Sequence, residues 1–153
     1  SASAVLEQAD IIFVNGLKLE DPTLELAKAN APKAVICELG TSSLPQSSWL
    51  YDFSFPKESG KPNPHLWTNP PNVLPFLSTI RNVLINADPA NVDKYDENYV
   101  IVSRLVMSLD EAMKVSTETV PANDRNIHYG KGQTADTLEL PKGKTKIALQ
   151  FVH

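Results

Sequence analysis

Residues 10–39 read DIIFVNGLKLEDPTLELAKANAPKAVICEL. The opening DIIFVNG (10–16) is a short continuous apolar run, rich in β-branched residues and closed by Asn15-Gly16. That is the pattern of a strand buried on both faces rather than one with a wet side. A helix follows, with Asp21 placed to cap it, Pro22 at its first position and Pro32 just past its end. KAVICEL (33–39) supplies a second buried strand. Strand, short helix, strand is a βαβ unit, so the two strands are expected to run parallel with a right-handed crossover. The chain is therefore read as α/β.

The bulk properties fit that reading. The 153 residues are enough for one domain, or for a lobe with an appendage. Hydrophobic residues make up 42% and charged ones 21%, the balance of a globular protein rather than a disordered one. A net charge of −4 with scattered lysines gives no basic stripe, so no nucleic-acid partner is expected. No apolar run approaches the ~20 residues that span a bilayer. The single cysteine, Cys37, rules out an internal disulfide or a thiolate cluster and reads as a buried strand thiol. SASAVLEQAD at the start has no basic-then-apolar leader pattern and reads as a helix already under way, while FVH closes inside an apolar alternation. Both ends are expected to be cuts in a longer sequence.

Downstream, residues 40–69 show little periodicity but carry Trp49, Tyr51, Phe53, Phe55 and Trp67. Loops this long are uncommon unless functional or disordered. The aromatics are expected to pack over the strand ends, with a site wall as the alternative. After Asn69 a helix is expected, with Val73, Phe76, Leu77, Ile80 and Leu84 on one face and Pro75 in its first turns. Residues 88–120 predict a long helix after a turn at Asp88-Pro89. Its apolar stripe of Val92, Tyr95, Tyr99, Val102, Val106, Leu109 and Met113 is widened by Ile101 and Leu105. That width favours packing within the chain over a coiled coil. TLEL, then PKGK, then TKIALQFV predicts a β-hairpin in a tail of residues 121–153. A lone hairpin is marginal in water, so it must cover another surface, and self-association through it is one option.

The chemistry concentrates in PNPHLWTNPPN (62–72). Prolines restrict both themselves and the residues before them, so His65 sits between rigid flanks. A lone histidine in a stiff turn is either structural or a ligand held in place. Pro70 and Pro71 remove two N–H donors from the following helix start, which disfavours an anion site there. A divalent cation, Zn²⁺ or Mn²⁺, is the alternative, with further imidazoles or carboxylates completing its shell. No glycine-rich phosphate loop, Gly-x-Ser-x-Gly elbow or His-Glu-x-x-His motif occurs. Asp52, Glu58 and His65 share the long loop, yet no nucleophile is paired with a base, and an enzyme is not expected.

Four stretches in order, ADIIFVNGLKLED, NPHLWTNPPNV, ADPANVDKYDENY and the long helix ending VPANDR, resemble one family over residues 1–125. It is the zinc- or manganese-specific periplasmic substrate-binding protein of ABC transporters. The resemblance implies two α/β lobes joined by a long helix, with metal held in the cleft by histidines and a carboxylate and delivered to a permease. It implies an extracytoplasmic location and no catalysis. Carried onto this chain, His65 matches the family's second histidine ligand and residues 88–120 its linking helix; the first histidine would lie upstream of Ser1. His128 falls near the third histidine, though its neighbours do not match, and Asn69 stands at a usually acidic position. His153 is a weaker candidate. The tail resembles a small β-rich domain of bacterial exported proteins. An interaction module that binds a protein partner through lobe and hairpin is the alternative function.

Overall fold

The computed structural model describes residues 2–118. The expected tail hairpin, its self-association, the resemblance of the tail to a β-rich domain, and His128 and His153 all lie outside the described residues.

A first short helix, α1 (Ala2–Leu6), leads into β1 (Ile11–Val14). Helix α2 (Asp21–Asn30) then connects β1 to β2 (Val35–Glu38). The strands pair in parallel, Ile11 opposite Val35 and Val14 opposite Glu38, as the βαβ reading requires. Ile12 and Val14 are buried against Leu24, Ala27 and Ala31, with Leu6, Ala9, Ala34 and Ile36 around them. Burial on both faces, expected for each strand, does not hold for β2, where Val35 is 50% exposed. Among the described residues the sheet has two strands, and α2 covers one side of it. Cys37, the register partner of Phe13, is buried as expected.

The start of α2 also departs from expectation. Glu20 holds the N-cap position and Asp21 falls in the first turn. The Glu20 carboxylate turns back and accepts the main-chain N–H groups of Asn15 (2.7 Å) and Gly16 (3.0 Å). Those two donors lie beyond the last paired residue of β1, so Glu20 supplies the acceptors that the ladder no longer offers. Gly16 has φ +79°, and a Cβ there would come within 2.9 Å of Glu38 Oε2. Leu17 and Lys18 continue the left-handed path at φ 55° and 71°. Such a backbone costs about 1–2 kcal/mol per residue; at Leu17 it is offset by a buried side chain.

The stretch read as aperiodic contains a short helix, α3 (Leu39–Ser43), and 3₁₀ turns at Gln46–Ser48, Lys57–Ser59 and Leu66–Thr68. Each is one turn or little more, too short to show a period. Leu17, Leu44, Leu66 and Phe76 form a second buried cluster, with Leu39 and Trp49 against it. The loop aromatics do not all join it, since Phe53 is 88% exposed.

Helix α4 (Pro70–Ala87) contains Pro75, and a 3₁₀ turn at Pro89–Asn91 leads to α5 (Val92–Thr117). The long helix thus starts at Val92, four residues after the expected boundary, behind the turn foreseen at Asp88-Pro89. Leu77, Ile80 and Leu84 of α4 line a groove with Tyr95, Tyr99 and Val102 of α5. Arg81 ion-pairs with Asp96, and its guanidinium lies 5.8 Å from the Tyr99 ring centroid. Ile101, Val102, Leu105 and Leu109 are all exposed, so the wide apolar stripe expected of α5 is only partly covered among the described residues. No helix among the described residues is long and apolar enough to cross a membrane.

Asp88 fastens the α4–α5 junction. Its Oδ2 accepts the Tyr95 hydroxyl and the Asn91 side-chain amide, both at 2.8 Å. These bonds, Tyr95 first, hold the Asp88 carboxyl below its ordinary value of 3.8. A depressed carboxyl contributes stability that is present above the unfolded-state value and disappears as pH falls through the folded one. Tyr95→Phe is expected to move the Asp88 titration back up towards the ordinary value, read by carboxyl NMR, and to shrink the loss of stability on acidification.

Candidate metal site

The site begins at the carboxyl end of β1. Asn15 follows the last residue of the strand, and its side-chain amide donates to Pro64 O at 3.0 Å and to Gly16 O at 3.1 Å. The first bond ties the sheet to a loop 49 residues away in sequence. The Asn63 N–H donates to Leu50 O (2.8 Å), and Leu66 N–H donates to Pro64 O (2.8 Å). The main-chain oxygen of His65 accepts the Thr68 hydroxyl at 2.8 Å, and Leu66 O accepts the Asn72 amide at 3.0 Å. Leu66, next to the histidine, is only 2% exposed. The backbone of His65 is therefore held from both sides, as its prolines led one to expect.

The imidazole itself is half-buried, between two aromatic rings. Its centroid lies 6.1 Å from that of Phe55 at an interplanar angle of 67°, and 5.2 Å from that of Trp67 at 58°. Of the two roles weighed for the loop aromatics, these two form the wall around His65, whereas Trp49 joins the core.

Asn63 controls the ring. Its Oδ1 is 2.7 Å from His65 Nδ1 and also accepts the His65 main-chain N–H at 3.0 Å. Its Nδ2 donates to Asp52 Oδ2 at 2.7 Å. Asp52 in turn uses Oδ1 to accept the N–H groups of Ser54 (2.8 Å) and Phe55 (3.0 Å). A carboxylate oxygen accepts and does not donate, so the Asp52 contact sets the amide with its oxygen towards the imidazole. Nδ1 then carries the ring proton, and Nε2 is the nitrogen whose lone pair can coordinate.

His65 is the sole histidine among the described residues. No group of three or more His, Cys, Asp or Glu side chains among them is arranged to hold a metal ion. Glu58, which shares the loop, lies exposed in the Lys57–Ser59 turn. Asp52 is linked to His65 through Asn63. The described part thus offers one imidazole towards a cation shell. Asn69 is the N-cap of α4 without a side-chain cap bond, and Pro70 and Pro71 follow it without N–H donors, which leaves that helix start poor for an anion. Reading the sequence singled out Asp52 and His65 but gave Asn63 and Asn15 no role at the site. The signal for Asn63 was present: Asn two residues before a histidine, with proline between, is an Asx-turn pattern.

The family described as the periplasmic zinc-uptake complex component A (ZnuA) matches residues 1–133, a stretch that includes both His65 and His128. The iron-binding protein YfeA of Yersinia pestis is 31% identical over 129 residues, 82% of this chain and 39% of that protein. The manganese ABC transporter substrate-binding lipoprotein PsaA of Streptococcus pneumoniae is 30% identical, over 82% of this chain and 41% of its own length. Among solved structures, the periplasmic zinc-binding protein TroA of Treponema pallidum shares the fold with a TM-score of 0.68 at 20% identity, covering 78% of this chain and 41% of that one. A crystal structure of ZnuA does so with a TM-score of 0.66 at 24% identity, over 78% and 43%. The described residues form a mixed α/β fragment with a small parallel sheet and a long helix that matches this fold. The chain belongs to the zinc-uptake complex component A family. It spans about two fifths of the length of the curated relatives it matches.

Removing the Asn15 amide deletes the direct bond between sheet and loop. Asn15→Ala is expected to cost about 1 kcal/mol in urea unfolding, the usual net worth of one such bond. Amide exchange at Leu66 and Thr68 should quicken with it.

Proposed function

We propose that this chain is the metal-capturing N-terminal part of an extracytoplasmic substrate-binding protein that hands Zn²⁺ or Mn²⁺ to an ABC transporter permease. The observation that carries the reading is His65, fixed near the end of the sheet with Nδ1 engaged by Asn63 Oδ1. Family membership supports it, as do relatives named for iron and manganese and a fold neighbour named for zinc. Such a protein binds and releases its cargo and catalyses nothing.

In this reading the metal is the transported substrate. His65 gives one ligand, matching the family's second histidine, and His128 is a further candidate ligand. Imidazole nitrogen suits Zn²⁺ well, and Mn²⁺ calls for more oxygen donors around it. The Phe55 and Trp67 rings limit water around His65, which strengthens the pull of a nitrogen lone pair on a cation. Two ligands are fewer than the four typical of a closed zinc site, so this chain alone should bind far more weakly than a complete protein.

Calorimetric titration of Zn²⁺ into the 153-residue chain tests the reading. His65→Ala is expected to abolish measurable binding, and His128→Ala to weaken it at least about tenfold, in keeping with loss of one ligand from a sparse shell. Equal binding by the parent and His65→Ala overturns the proposal.

A further inference from the structure

We infer that Asp52 and Asn63 form a relay that sets the tautomer of His65, and that both are positioning residues for metal capture. The inference rests on the metal-binding reading of His65 but has its own observable.

The relay has a direction at every link. Asp52 Oδ1 is occupied by the Ser54 and Phe55 N–H groups, which leaves Oδ2 aimed at Asn63. Asn63 Nδ2 donates to it, and Asn63 Oδ1 is thereby turned towards His65, where it accepts both the main-chain N–H and Nδ1–H. The His65 main-chain N–H, a donor whatever the tautomer, agrees with the orientation that the carboxylate demands. A flipped amide would set NH₂ against the His65 N–H and leave Asp52 without its donor. The proton is consequently kept on Nδ1, and the lone pair on Nε2. A histidine ligand usually donates its second nitrogen to such an outer partner, and loss of that partner typically costs about 10- to 100-fold in metal affinity. Here the outer partner is an amide, itself oriented by a carboxylate eleven residues before it.

The pair also sits where it can hold the ring without filling the site. Asp52 closes a small turn, exchanging main-chain bonds with Phe55 at 3.0 and 3.2 Å. Phe55 is one of the two rings beside His65. The carboxylate that fixes Asn63 therefore fixes one wall of the imidazole pocket as well.

Exchange of the two side chains tests the relay. Asp52→Asn sets amide against amide, and Asn63→Asp sets carboxylate against carboxylate, so each single variant breaks the central link. The double variant Asp52→Asn/Asn63→Asp rebuilds it in reverse: the new amide keeps its oxygen on Ser54 and Phe55 and donates its NH₂ to the new carboxylate, which still accepts from His65. Two readouts apply to the full 153-residue chain: long-range ¹H–¹⁵N spectra of the metal-free imidazole, and Zn²⁺ titration. In the parent, the pyridine-type nitrogen is expected to be Nε2. In Asp52→Asn that signal should spread over both nitrogens and Zn²⁺ affinity fall about 10- to 100-fold, whereas Asn63→Asp keeps an acceptor on Nδ1 but loses its bond to Asp52; in the double variant both tautomer and affinity should return. Asp52→Asn with the parent's tautomer, or a folded double variant that stays as weak as Asp52→Asn, overturns the relay. The double variant decides the matter even where a single one fails to fold. Should His65→Ala bind Zn²⁺ as the parent does, the transport reading falls, while the tautomer spectra still judge the relay.

Discussion

The bond from the Asn15 amide to Pro64 O is the constraint on which the arrangement of this lobe turns. Parallel strands bring their carboxyl ends to one edge, and ligands of open α/β sheets gather outside that edge. A loop that leaves β2 and wanders for some thirty residues has no reason of its own to return there. Asn15, the first residue past β1, supplies the reason. It takes one main-chain oxygen of the Pro-His segment and so sets His65 beside the strand end. The prolines make the segment stiff, and the amide decides where the stiff segment goes.

Packing reinforces this placement. Leu66 belongs to the cluster with Leu17, Leu44 and Phe76, which draws together the turn after β1, the residue after α3, the loop and the second turn of α4. Full burial of a leucine is worth roughly 1.5–3 kcal/mol. The imidazole is thus one residue from Leu66, the largest of the fully buried side chains among the described residues. It cannot swing far without drawing Leu66 out of its contacts. A polar side chain at the surface and an apolar one in the core share a single backbone anchor.

Much of this was legible in the sequence because it rests on local signals. The Asn15-Gly16 stop, Pro22, Pro32 and the apolar runs define the βαβ unit, and the spacing from Val92 to Val106 defines the long helix. What escaped is non-local. Glu20 was overlooked in favour of Asp21 because capping rules weigh the helix and not the two N–H groups waiting at the end of β1. Val35 was expected to be buried because composition shows that a strand is apolar, not how many neighbours cover it. At the site, His65 stood out by its rigid flanks. Asn63 did not, because an amide acquires its role only once Asp52 lies against it, and eleven residues of aperiodic loop hide that contact.

The left-handed turn after β1 has an evolutionary corollary. Leu17 and Lys18 both bear a backbone geometry that glycine would adopt freely. At 18 the side chain is exposed and gives up only a long, solvated ion pair with Asp21, so drift towards glycine or asparagine meets little resistance. At 17 the same replacement would empty a place in the core beside Leu44 and Leu66. Two neighbouring positions with the same dihedral strain should therefore diverge at different rates, the first held to a large aliphatic residue and the second free to wander.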